Sequence, residues 1–202
     1  PLLHKNIWIG RPRSIFRNWL RNWQPAICSK FHSTFAVRGA GLASKFALLG
    51  MKILYDGYIY RLQKTGGINR YFQEIISRLP GECRPTVYTS TKPAFQTLEH
   101  KNLRFVPKPP MARWLARPIR WLAGKFDLFH PTYYHLTEPL DWSVIRGPVV
   151  LTVYDFVFSK YADRYSRTEK LLVAQREAIQ RADVLLCISN STEADLLERF
   201  PE

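Results

Sequence analysis

The sequence predicts an α/β protein: a parallel sheet with helices on both faces, preceded by a basic leader. Three observations carry this prediction. From residue 51 onward, short apolar runs alternate with segments of helical periodicity. The strongest run, residues 148–153, is almost wholly apolar, as strands buried on both faces are. Finally, Met51-Lys-Ile-Leu-Tyr-Asp-Gly leads through a loop into Gly66-Gly67, and the glycines open a helix. Strands alternating with helices imply right-handed crossovers and a parallel sheet.

The elements follow in order. Residues 52–56 read as the first strand. Ile68, Phe72, Ile75, Ile76 and Leu79 recur at helical spacing, and Pro80-Gly81 stops that helix. Residues 86–89 and 103–106 read as short strands, followed by a proline-rich turn. Residues 111–123 predict a basic amphipathic helix that Pro118 kinks or splits. Residues 127–130 form another strand. After the 148–153 strand come a helix over 168–181 and a strand over 184–188. A final helix starts at Asn190, with Glu193 completing a capping box.

Charge divides the chain unevenly. The net charge is +14, but residues 1–50 hold eight Lys/Arg and no acidic residue. The remaining 22 basic and 16 acidic residues leave only +6 for 51–202. The leader is therefore separate from the globular unit: a poorly ordered or non-native extension, an organellar transit peptide, or a basic stretch with Trp8, Trp19 and Trp23 for an anionic membrane surface or nucleic acid. Ile15, Trp19 and Trp23 also fit a short amphipathic helix near 13–23. The start at Pro1 suggests a fragment or a processed product. Three scattered cysteines, Cys28, Cys83 and Cys187, show no metal or redox spacing and suit a reduced, cytoplasmic setting. No metal and no cofactor are expected. No apolar run approaches the ~20 residues of a membrane span.

The joint order of several motifs resembles the N-terminal half of a family 4 glycosyltransferase of the GT-B type, over residues 51–202. The motifs are the Met51 start, Gly66-Gly67-Ile68-Asn69-Arg70-Tyr71, Phe129-His130-Pro131-Thr132-Tyr133-Tyr134, Val150 to Phe156, and Ala182 to Thr192 leading to Arg199-Phe200-Pro201. The resemblance implies a Rossmann-like acceptor-binding domain whose nucleotide-sugar-binding partner domain is absent. It implies a retaining transfer from a nucleotide-sugar donor to a glycan or lipid-linked acceptor, as in polysaccharide biosynthesis, and no activity from this half alone. Where the family often has His-Asp after the strong strand, this chain has Tyr154-Asp155. A tyrosine can hydrogen-bond a hydroxyl but is no base near neutral pH.

Candidate site residues follow from position and from the resemblance. Gly66 and Gly67 would let a phosphate approach the amides of a helix N-terminus, where the dipole favours an anion. Asn69 and Arg70 occupy the same turn. His130, Tyr133 and Tyr134 stand at the carboxyl end of a strand, where open α/β sheets bind ligands. The resemblance places Tyr154 and Asp155 at the catalytic cleft and adds Ser189. The Arg/Trp helix at 111–123 reads either as a peripheral contact with the inner face of a membrane or as an ordinary surface helix with snorkelling arginines. Two other classes compete: another nucleotide-dependent α/β enzyme, and a basic module for nucleic acid or membrane. The first lacks the Gly-x-Gly-x-x-Gly fingerprint. The second is disfavoured because over half of the excess charge precedes Met51.

Overall fold

The computed structural model describes residues 6–9, 50–89, 98–108, 125–138, 140–161, 164 and 168–201. The expected helices at 13–23 and 111–123 lie outside these residues.

Seven strands and five helices are described. They are β1 (Asn6–Ile9), β2 (Lys52–Asp56), α1 (Tyr58–Leu62), α2 (Gly67–Ser77), β3 (Arg84–Thr89), β4 (Arg104–Pro107), β5 (Leu128–Pro131), β6 (Val150–Val153), α3 (Val157–Lys160), α4 (Glu169–Arg181), β7 (Val184–Cys187) and α5 (Asn190–Arg199). Every strand pair is parallel. A four-stranded sheet has the order β4-β3-β2-β5, and a three-stranded sheet has the order β1-β7-β6. A parallel bridge, Phe129 to Val149, joins them through a 2.9 Å bond from the Phe129 amide to the Pro148 carbonyl.

The chain therefore steps from β2 outward to β3 and β4, returns past β2 to β5, and continues the other way to β6 and β7. This is the doubly wound, Rossmann-like α/β order that the sequence predicts. Reversal at β2/β5, with right-handed crossovers, sends helices to opposite faces. It also opens a crevice beyond the carboxyl ends of β2 and β5.

Burial explains the strands. β2 buries Ile53, Leu54, Tyr55 and Asp56. β5, β6 and β7 are buried at every position, the pattern of a sheet covered on both sides. Helix α2 turns Tyr71, Phe72 and Ile76 onto the sheet, where Phe72 meets Tyr55 and His130 edge-on. β3 begins two residues earlier than expected and contains Pro85. Arg84 donates toward β2, to the Met51 carbonyl, so residue 85 faces the β4 side. Pairing with β4 begins only at Thr86, so no ladder bond is lost to the proline.

Two differences concern the ends. The leader contributes β1, which pairs with β7 from Asn6↔Val184 to Ile9↔Cys187, a strand that the reading of residues 1–50 did not expect. Helix α5 is capped one residue earlier than expected. Ser189, not Asn190, accepts the Thr192 amide at 3.1 Å, because Ser189 alone has the extended backbone a cap needs.

Gly57 fixes the turn after β2. Its amide donates to the Tyr88 carbonyl at 2.7 Å. A β-carbon there would stand 2.6 Å from Thr89 Cβ and 2.8 Å from that same carbonyl. Gly57→Ala is therefore expected to cost about 1–3 kcal/mol, the scale of overpacking. Urea denaturation measures it, and an unchanged midpoint would show that the loop can lift freely.

Candidate functional site

The carboxyl ends of β2, β5 and β6 carry the polar and aromatic side chains that meet at the crevice. Asp56, the last residue of β2, is fully buried. One carboxylate oxygen accepts the Tyr58 amide at 2.8 Å and the Thr137 hydroxyl at 3.2 Å, and the other accepts the Thr137 amide. Asp56 thus ties the loop after β2 to the loop after β5. Burial pushes its carboxyl up to about 7, against the pull of those bonds and of the Arg61 charge.

His130, on β5, is in the core rather than on the crevice. It is 4% exposed, and its Nε2 lies 3.0 Å from Thr152 Oγ1. Thr152 also meets the Tyr71 hydroxyl at 3.1 Å, so strand β6 links the histidine to helix α2. Burial lowers the imidazole to about 3, which keeps it neutral at physiological pH.

A small cleft opens beside β5 and β6. It is lined by Ile68, Tyr133, Tyr134, Tyr154, Asp155, Phe158, Leu171 and Gln175. Tyr154 has its groups committed: its hydroxyl donates to the Thr132 carbonyl at 3.1 Å, and its amide donates to the Tyr134 hydroxyl at 3.2 Å. Burial raises its phenol well above the usual range. Tyr154 therefore presents ring surface. Asp155 is exposed; its side chain accepts the Val157 amide at 3.1 Å, and its carbonyl accepts from Gln175 at 2.9 Å. Tyr133, half-buried, stacks on Tyr154 with centroids 6.4 Å apart.

Helix α2 begins at the rim through Ile68. Gly66 has extended backbone, and a β-carbon there would press on the Gln63 side chain at 2.5 Å. Gln63 in turn donates to Asn69 Oδ1 at 3.1 Å, while Asn69 Nδ2 donates to the Gln63 and Lys64 carbonyls. Asn69 is buried, so it moulds the loop ahead of the helix instead of facing solvent as a first-turn residue usually does. Gly67 is exposed, and nothing lies within 4 Å of where its β-carbon would be. Arg70 is exposed and forms no ion pair among the described residues. Ser189 is the cap of α5.

A glycine-opened helix on a doubly wound sheet, with a tyrosine-walled cleft at the strand ends, is the arrangement that the motifs imply. The family model for Glycosyltransferase Family 4 matches residues 65–202. The chain belongs to glycosyltransferase family 4. No curated protein matches it. Membership of family 4 makes sugar transfer the general activity and a sugar donor and an acceptor the general partners. Among the described residues of this family 4 chain, no helix is long and apolar enough to cross a membrane. No cluster of His, Cys, Asp and Glu there could hold a metal.

The crevice also holds residues that the sequence reading gave no role: Asp56, Tyr58, Arg61, Thr132, His135 and Thr137. Tyr58, Tyr133 and His135 have nearly parallel ring planes, and the Arg61 guanidinium lies 4.5 Å from the Tyr58 ring centre. One of these had a signal in the sequence. An aspartate closing an apolar strand and followed by glycine is an acid at a strand's carboxyl end, and Asp56-Gly57 is such a pair.

Proposed function

We propose that residues 51–202 form the acceptor-binding half of a retaining glycosyltransferase, moving a sugar from a nucleotide-sugar donor to a glycan or lipid-linked acceptor at the cytoplasmic face of a membrane. The composition of the cleft carries this reading. Among the described residues its walls are three tyrosines, one phenylalanine, two aliphatic residues, one glutamine and one carboxylate, with no Lys or Arg. A nucleoside diphosphate needs cationic or amide partners. Aromatic faces with a carboxylate suit the C–H faces and hydroxyls of a neutral or polyhydroxylated acceptor.

In this reading, Tyr133, Tyr134 and Tyr154 form the wall against which the acceptor packs. Asp155 accepts a hydrogen bond from an acceptor hydroxyl. The open amides near Gly67, at the positive end of α2, stabilise the departing diphosphate together with Arg70, and a second domain supplies most donor contacts. His130 and Asn69 support the site from beneath. No cofactor beyond the donor is part of the reading.

The test is a pair of titrations on the 202-residue chain, one with nucleotide sugars and one with oligosaccharides, read by ligand-observed NMR. Oligosaccharide binding without measurable nucleotide-sugar binding is expected. Tight nucleotide-sugar binding by this chain would overturn the acceptor assignment.

A further inference from the structure

We propose that Tyr58, Tyr133, His135 and Arg61 form a subsite for a pyranose that carries a negative charge, a uronate or a phosphate ester. This rests on the acceptor-binding reading and specifies the acceptor's chemistry.

The geometry comes first. The ring planes of Tyr58 and Tyr133 differ by 4°, those of Tyr58 and His135 by 15°, and those of Tyr133 and His135 by 12°. Their centroids are 6.2, 5.4 and 6.4 Å apart. A column of three stacked rings would separate its outer members by two contact distances, about 7 Å or more. The rings therefore stand in a triangle, each pair parallel and laterally offset. All three are only half-buried. A floor of parallel rings offers a broad, weakly negative surface, and the C–H face of a pyranose is flat and weakly positive.

The charge comes second. Arg61 follows Tyr58 by three residues on α1, which places the two on one helix face. Its guanidinium carbon lies 4.5 Å from the centre of the Tyr58 ring, and Arg61 is exposed, so its N–H donors stay open to a ligand. It forms no ion pair among the described residues. Asp56, the nearest buried acid to feel it, is already committed to three donors. His135 adds no charge, because burial and Arg61 both hold its imidazole below the usual value. Arg61 is thus the single cation of the four residues.

The floor is also polarised. The Arg61 charge acts on His135, while the Asp155 charge acts on Tyr133. A ligand with an anionic end and a hydroxyl end would lie across it in one direction, with the anion toward Arg61 and hydroxyls toward Asp155 and the cleft. A neutral sugar would leave the arginine unused. A free diphosphate would meet the Asp155 charge.

The experiment uses the full chain and three probes: methyl β-glucuronoside, glucose 1-phosphate and methyl β-glucoside. Titration by NMR should show at least one anionic probe binding about tenfold tighter than the neutral glucoside, the scale of one charge-assisted pair. The two anionic arms distinguish a carboxylate from a phosphate. Arg61→Gln should abolish that preference, bringing the anionic probes to the level of the glucoside. Tyr58→Leu should weaken all three probes alike. Melting temperatures of both variants confirm that they fold. Equal binding of the charged and neutral probes would overturn the charged subsite and leave the acceptor reading standing. Nucleotide-sugar binding with no glycoside binding would overturn the acceptor reading itself. No binding of any probe would overturn the subsite.

Discussion

Asp56→Ala is expected to destabilise the protein by about 3–5 kcal/mol at pH 5, because it leaves three buried donors without an acceptor. The Tyr58 amide, the Thr137 amide and the Thr137 hydroxyl all lose their partner at once. A loss of that size is a large fraction of a typical domain's stability. The loss should also depend on pH. Burial lifts the folded Asp56 carboxyl to about 7, from an ordinary 3.8. Between those values the folded chain holds a proton that the unfolded chain has released. Stability from this group therefore falls as pH rises from about 4 to 7, by up to about 1.4 kcal/mol per unit. The alanine variant lacks this term, so its deficit should shrink by about 2 kcal/mol between pH 5 and pH 7.5. Urea denaturation at both values decides, and an equal deficit at both would refute the buried-acid account.

His130 acts in the opposite sense. Burial lowers its folded value to about 3, from an ordinary 6.5. As pH falls below 6.5, the unfolded chain takes up a proton that the folded chain refuses, and stability falls with it. Between about pH 4 and 6.5 the two groups offset one another. In a His130→Gln variant the Asp56 term stands alone, so the same window should slope downward with rising pH.

Gly67→Val is expected to lower sugar transfer by the active enzyme about a hundredfold, the scale of losing one donor to a developing anion. A glycine that opens a helix can hold a backbone angle that a β-branched residue tolerates poorly. The structure removes that concern. Among the described glycines only Gly50 has a positive φ, and the space beside Gly67 is open. The melting temperature should therefore stay near the parent value, within what about 0.5 kcal/mol allows. A rate near normal would mean that nothing approaches this amide during the reaction. Gly66 gives no equally clean test, since a side chain there displaces Gln63 and with it Asn69.

The strands were legible where burial is two-sided. Residues 149–153 and 184–187 are apolar because both faces are covered, and that leaves a mark in composition. The order of the strands was legible only as a class, since nothing in the residues of β5 says that it returns beside β2. Helices α1 and α3 have five and four residues, too short for periodicity to appear. The site was read in part. Tyr133, Tyr134, Tyr154 and Asp155 do meet around one cleft, because each follows the end of a neighbouring strand. His130 follows the same positional rule, yet its side chain points to the helix-covered face. Alternation along β5 decides that, and one residue of register separates the crevice from the core. Tyr58 and His135 were missed because each is unremarkable locally, and only the reversal of strand order brings them together.

The outermost strand has a consequence for the order of events during synthesis. β1 leaves the ribosome about 180 residues before its partner β7. At roughly 5–20 residues per second, β1 waits on the order of 10–40 s before its neighbour exists. The six other strands can assemble without it. The pairing of Asn6–Ile9 with β7 should therefore be the last sheet contact made, and the first to open when the folded protein fluctuates.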